Sequence, residues 1–249
     1  MDDLAAEFRR DGACVVRGLL SPTEVAGLAR AVDAHMADSS LLAIEGGGDA
    51  TSGRFFEDFR NWDRFEGYEA VIRGSRIGEV AARLMGSDTV RLHHDHLLVK
   101  EPGTTIRTPW HQDQPYYDID GSDTVSFWIP LNPVPRQSTL EFVARSHASG
   151  TWYMPRSFFD DRPLVFEDGT FGEVPDVEAD RSAFDMLTLH AAAGSRHRRR
   201  AYSVRLVGDD VRRATRPHAT SPPFPELEGV LGAGDALDHP LFPQLWPRT

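Results

Sequence analysis

From Thr89 to Lys100 the chain alternates at period two, and it keeps a β-like character to its last third. Successive side chains on such a stretch point to opposite faces of a sheet. Short strands are expected near residues 106–113, 123–131, 138–144, 151–153, 184–189 and 200–207. Turn signals such as Asp120-Gly121-Ser122 separate them. Many short strands in the second half of a chain predict a sandwich or jelly roll.

The first third reads differently. A short helix over residues 3–11 is ended by Gly12, and an apolar strand follows over Ala13–Leu19. Ser21-Pro22-Thr23-Glu24 carries an N-cap, a proline at N1 and a glutamate at N3, the pattern of a capping box. It predicts a helix from Pro22 to about Met36. Residues 39–54, rich in Ser, Gly and Ala, are expected to form a mobile loop, and a third helix is expected over 77–85 before Gly86. The Pro-rich tail from Pro217 to Pro247 should run extended over the surface. With no repeats and no low-complexity linker, the 249 residues are read as one domain, 1–249, with the helical third packed on the outside of the strands.

Composition narrows the function classes. A formal net charge of −11 is the wrong sign for a protein that neutralises phosphates or binds anionic membranes. The one cysteine, Cys14, excludes an internal disulfide and a Cys-based zinc site, and its apolar neighbours mark it as a small hydrophobe. No run approaches a membrane span, and the acidic start Met1-Asp2-Asp3-Leu4 does not resemble a signal peptide. A cytoplasmic protein is expected.

Ten histidines invite a search for metal ligands. A His-x-Asp pair on a strand end offers an imidazole and a carboxylate to one ion. A distant His then completes the two-His-one-carboxylate set of non-haem Fe(II) oxygenases, with three coordination positions open. Two such pairs occur, His93-His94-Asp95 and His111-Gln112-Asp113. The second is preferred because it follows a turn-rich approach at a strand–loop border, where functional residues concentrate. The first lies inside a long strand. There His94, His96, Leu98 and Lys100 share one face, and His93, Asp95, Leu97 and Val99 the other, so these residues line or back the barrel. For the third ligand His190 is favoured, at the end of the apolar segment Phe184–Leu189. His147 and His197 are its competitors.

Several segments together resemble the phytanoyl-CoA dioxygenase family of Fe(II)/2-oxoglutarate oxygenases. They are Asp11-Gly12-Ala13-Cys14-Val15-Val16, Leu97-Leu98-Val99-Lys100-Glu101-Pro102-Gly103, Trp110-His111-Gln112-Asp113, Ser126-Phe127-Trp128-Ile129-Pro130-Leu131 and Thr139-Leu140-Glu141-Phe142-Val143. The resemblance implies a double-stranded β-helix, a cupin-like jelly roll that is mostly β with flanking helices. It also implies a cytoplasmic enzyme with Fe(II) on His111, Asp113 and His190, and 2-oxoglutarate as co-substrate. An arginine on the strand after the distal His would grip the far carboxylate of 2-oxoglutarate. Arg199 is the matching position and Arg205, on the same face, is the fallback. Trp128 matches a family position lining that site, and Thr108 is a further candidate contact. The chain departs from the family at Ala144-Arg145-Ser146-His147, where Pro-Gly usually precedes Ser-His.

In this reading O2 takes the last coordination position, 2-oxoglutarate leaves as succinate and CO2, and the oxidant removes a hydrogen from a small organic substrate. Because Asp113 occupies a coordination position, halogenation is not expected and hydroxylation is the default. Cyclisation, epimerisation and desaturation share the same oxidant. Phe55, Phe56, Phe59, Trp62, Tyr116 and Tyr117 are read as core first and pocket lining second. By analogy with family members, the substrate class is expected among secondary metabolites such as polyketide antibiotics. The rival readings are a cupin-type metal-dependent isomerase and a non-catalytic jelly-roll binding protein.

Overall fold

The alternation that starts at Thr89 becomes the longest strand of the structure. The structure is a computed structural model that describes residues 1–47, 53–104, 106–134, 139–164, 171–188 and 198–248. Helix α1 (Asp2–Asp11) ends at Gly12, whose φ of 85° is the left-handed cap that glycine adopts without a steric penalty. Helix α2 (Pro22–Ala37) starts on the expected capping box. The Ser21 N–H donates to Glu24 Oε2 at 2.7 Å and the Glu24 N–H donates back to Ser21 Oγ at 3.3 Å. A short α3 (Glu66–Glu69) runs into a π-turn over Ala70–Gly74, and α4 (Ile77–Met85) stops at Gly86 as expected.

The strand expected over Ala13–Leu19 does not form. Val16, Leu19 and Cys14 pack against the helical core instead, and no strand among the described residues pairs with this segment. Burial pushes the half-buried Cys14 thiol up to about 11, which fits an inert hydrophobe.

One antiparallel sheet organises the rest. Its order is β1 (Ile44–Gly46), β2 (Phe55–Phe59), β3 (Val90–Lys100), β8 (Arg199–Val207) and β5 (Thr124–Pro130), and β10 (Gln244–Trp246) pairs with the start of β3. Two ribbons accompany it, β4 (Ile119–Asp120) with β9 (Arg212–Arg213) and β6 (Glu141–Val143) with β7 (Met186–Thr188). The described strands thus form a sheet-rich jelly-roll-type fold with flanking helices, without a closed barrel among the described residues. Strands β1 and β2 replace part of the loop and aromatic stretch expected from the sequence. Residues 151–153 contribute only a bridge at Tyr153.

The two faces of the sheet have opposite chemistry. Phe56 on β2, Leu97 and Val99 on β3, and Tyr202, Val204 and Leu206 on β8 are buried against α2, α3 and α4. His35 on α2 clamps this layer, its ring nitrogens 2.9 Å from both the Tyr68 hydroxyl and the Asp58 carboxylate. The opposite face follows from the register. Glu57 and Phe59 stand beside Leu98 and His96, His94 pairs with Arg205, His96 with Ser203, Lys100 with Arg199, and Ser126 and Trp128 on β5 face Arg205 and Ser203. This polar face carries the candidate site.

A register shift between Leu92 and His94 breaks the alternation of β3. The bulge lets Leu92 stay in the core while His94 joins the polar face. His93 is turned into a second apolar cluster with Phe224 and Phe242. That cluster corrects the reading of the tail. Phe224, Leu227, Leu237 and Phe242 are buried, so the Pro-rich segment closes one end of the sheet instead of lying over the surface.

Arg145 sits at a φ of 64°, the left-handed region, and its N–H donates to the Asp11 carbonyl at 2.9 Å. A glycine at this position would need no such strain, because a side chain there costs about 1–2 kcal/mol. Its ion pair with Asp185 is exposed on both sides and offsets little. We predict that Arg145→Gly raises stability by about 0.5–1 kcal/mol and Arg145→Val lowers it, as measured by urea denaturation. Equal stabilities would contradict this.

Candidate metal centre

Residues 106–113 are not a strand. Pro109 and Pro115 have no N–H to give a ladder, and the segment bends into a 3-10 helix over Gln114–Tyr116 with Asp113 at its cap. The bend, rather than strand periodicity, brings the pair together. His111 Nε2 lies 3.3 Å from Asp113 Oδ1. The His111 Nδ1–H donates to the Pro109 carbonyl at 2.8 Å, which fixes the tautomer and leaves Nε2 as a lone pair on the carboxylate side. Gln112 points the other way. Its amide donates to the Thr151 carbonyl and accepts the Tyr153 N–H, both at 3.0 Å, and so fixes the segment to the neighbouring backbone. Phe158 packs on the His111 ring with centroids 4.6 Å apart.

The second carboxylate oxygen of Asp113 is also held. Ser126 Oγ donates to Oδ2 at 2.7 Å, and Arg205 Nε lies 3.7 Å away. Burial alone would raise the Asp113 pKa. The Arg205 charge, then His111 and Ser126, outweigh it and hold the carboxylate well below its usual range. Arg205 also donates from Nε to the Tyr117 hydroxyl at 3.1 Å. This donor set suits a divalent cation: one imidazole lone pair and one carboxylate oxygen face a common point, and hydrogen bonds orient both from behind.

Three same-face rows further along the sheet is a cationic patch. The Arg199 guanidinium lies 5.9 Å from the centre of the Trp128 ring, and Lys100 is its cross-strand partner. Lys100 Nζ donates to the Ile106 carbonyl at 2.8 Å and to Thr108 Oγ1 at 3.2 Å, and lies over the Phe55 ring. Burial and the Arg199 charge push Lys100 down to about 8, and burial lowers Arg199 as well. Two cations placed beside each other make this a positively charged region of the polar face.

A cavity of about 270 Å³ opens on Asp113. Glu57, His94, His96 and Arg205 form its sheet wall, and Phe158, Phe159 and Leu164 its apolar side. Of the aromatics singled out in the sequence, Phe59, Tyr116 and Tyr117 line this cavity and Phe56 is core.

The sequence-predicted residues therefore divide. His111 and Asp113 adjoin, with Thr108, Trp128 and Arg199 on the neighbouring patch. His190 and the competitor His197 lie outside the described residues; β7 ends two residues before His190. No group of three or more potential ligands is arranged to hold a metal among the described residues. His147 bonds the Arg9 carbonyl at 3.1 Å, on α1. Sequence reasoning missed Ser126, the role of Lys100 and the bond of Tyr117 to Arg205. The signal was available for Ser126 and Lys100, which share parity with Trp128 and His96 on their strands. The Tyr117 bond had none, because Tyr117 reaches the site through an irregular turn.

Comparisons with known proteins bear on the family and the fold. Residues 8–201 match the family model of phytanoyl-CoA dioxygenase. No curated protein matches significantly. Among solved structures, the 2-oxoglutarate-dependent carbocyclase SnoK of nogalamycin biosynthesis aligns with a TM-score of 0.73 at 20% identity, over 98% of this chain and 96% of its own. The epimerase SnoN, in complex with Fe3+, 2-oxoglutarate and a nogalamycin derivative, aligns with a TM-score of 0.71 at 21% identity, over 98% of each chain. EctD from S. alaskensis, with 2-oxoglutarate and 5-hydroxyectoine, gives 0.60 at 19% identity over 89% and 80%. A non-catalytic module and a co-substrate-free isomerase are accordingly not favoured. With most of its length matched, the chain belongs to the phytanoyl-CoA dioxygenase family of Fe(II)/2-oxoglutarate oxygenases.

Proposed function

We propose that the chain, acting as one domain over residues 1–249, is a cytoplasmic Fe(II)/2-oxoglutarate-dependent oxygenase that tailors a small organic molecule. His111, Asp113 and His190 hold the iron. The observation that carries this is the His111–Asp113 pair, 3.3 Å apart with each side chain hydrogen-bonded from behind. Iron with 2-oxoglutarate and O2 supplies an oxidant that removes a substrate hydrogen, leaving succinate and CO2.

Arg199 takes the far carboxylate of 2-oxoglutarate, with Lys100 beside it, Trp128 below and Thr108 at the edge. Trp128 is two residues along β5 from Ser126, which binds Asp113. Arg205 serves the carboxylate ligand instead, being 3.7 Å from Asp113 and bonded to Tyr117. The apolar side of the cavity excludes water and receives the substrate. Hydroxylation is the default outcome, and cyclisation or epimerisation in bacterial antibiotic biosynthesis is supported by the fold shared with SnoK and SnoN. Neither nucleic acid nor a membrane is a partner. The net charge of −11 supports this, as does the absence among the described residues of a helix long and apolar enough to cross a bilayer.

Anaerobic titration of the protein with Fe(II) and 2-oxoglutarate is expected to give a metal-to-ligand charge-transfer band, which His111→Ala abolishes. A wild-type protein without the band would overturn the proposal. Arg199→Leu should weaken 2-oxoglutarate by about 30-fold or more, the cost of losing one partner of a buried charge pair, with Fe(II) affinity within about 3-fold. If Arg205→Leu has that effect and Arg199→Leu does not, the assignment reverses. Ser126→Ala should lower Fe(II) affinity by about 10-fold through its bond to Asp113. Unchanged affinity would remove Asp113 from the ligand set.

A further inference from the structure

Two polar atoms of cavity-lining residues are buried without a hydrogen-bond partner, His94 Nε2 and Arg205 Nη1. Their residues face each other across β3 and β8, and both line the cavity that opens on Asp113. Buried polar atoms are nearly always satisfied, so an unsatisfied pair in one cavity calls for a ligand.

The chemistry of that ligand follows from the bonds behind His94. Arg213 Nη1 pairs with Asp118 Oδ2 at 2.5 Å, His93 Nε2 lies 3.3 Å from Asp118 Oδ1, and His94 Nδ1 lies 3.0 Å from His93 Nδ1. A carboxylate only accepts, so His93 donates to it from Nε2. With both rings neutral, His93 Nδ1 then accepts from His94 Nδ1–H, and His94 Nε2 is left as a lone pair. Burial, above all, keeps His94 well below its ordinary pKa, in line with a neutral ring. Arg205 Nη1 beside it is a donor. A carboxylate would meet the His94 lone pair, and an ammonium would meet the Arg205 charge. A hydroxyl satisfies both, donating to one and accepting from the other.

We propose that His94 Nε2 and Arg205 Nη1 form a hydroxyl-binding subsite, so that the substrate is an apolar ring compound bearing a phenolic or alcohol OH held beside the iron. Phe158, Phe159 and Leu164 meet the ring body. His94 is a positioning and specificity residue, and the chain Arg213–Asp118–His93 sets its polarity. This rests on the function proposed above for the same cavity.

The test is binding of three compounds, 2-naphthol, 2-methoxynaphthalene and 2-naphthoate, measured by calorimetry on the full chain with circular dichroism to check folding. The expected result is that naphthol binds about 10-fold or more tightly than its methyl ether and more tightly than naphthoate. His94→Leu abolishes the preference, and His94→Gln, which keeps an acceptor, retains part of it. Should naphthol and its ether bind alike, should none of the three bind, should naphthoate bind best, or should His94→Leu keep the preference, the subsite is overturned. The charge-transfer titration on the same preparation separates the two claims. A normal band without discrimination refutes the subsite alone, and discrimination without a band refutes the oxygenase reading alone.

Discussion

The β3–β8 ladder sets everything else in this fold. Nine residue pairs run from Arg91–Val207 to Lys100–Arg199, and each strand sends alternate side chains to opposite faces. One face is apolar and buried under the helices, while the other carries charged and hydrogen-bonding groups. A slip of one residue would turn every side chain to the wrong face, so the apolar core itself holds the polar face in register. The bulge at His93 is the one departure. Without it Leu92 would leave the core or His94 would leave the cavity.

The polar face divides into regions of different charge. At one end the carboxylate of Asp113 is held by Ser126 and Arg205 beside the lone pair of His111. At the other, Lys100 and Arg199 concentrate positive charge, with Arg199 beside Trp128 and Lys100 over Phe55. A divalent cation suits the first and a carboxylate the second. A co-substrate that chelates a metal at one end and carries a carboxylate at the other spans both. Asp113 thus has two kinds of neighbour. The cation at Arg205 keeps it ionised, and the serine hydroxyl aims it.

Much of this was legible in the sequence, and what was not has identifiable causes. The capping box at Ser21 and the helix before Gly86 are local signals, and both elements formed with the expected bounds. The even-numbered face of β3 was readable from parity as far as His94. Beyond that the bulge, which has no local signature, placed His93. The strand expected at Ala13–Leu19 failed because apolar character alone does not supply a pairing partner. The segment at 106–113 failed because Pro109 removes a donor that a ladder needs and the chain bends at Gln114–Tyr116. In the tail, prolines masked the spaced aromatic and aliphatic residues that make a second cluster. In the candidate site, His111 and Asp113 were found by residue type, but by a strand argument that the bend replaces. His111 is supported by Pro109 two residues away, but the supports of Asp113, Ser126 and Arg205, come from strands farther along the chain.

Anomalous scattering from crystals grown anaerobically with Fe(II) tests the central claim most directly. One peak bonded to His111 Nε2, an Asp113 oxygen and His190 is the expected result. A peak among Glu57, His94 and His96 would contradict the assignment, as would a peak at Asp113 with residue 190 outside its coordination sphere.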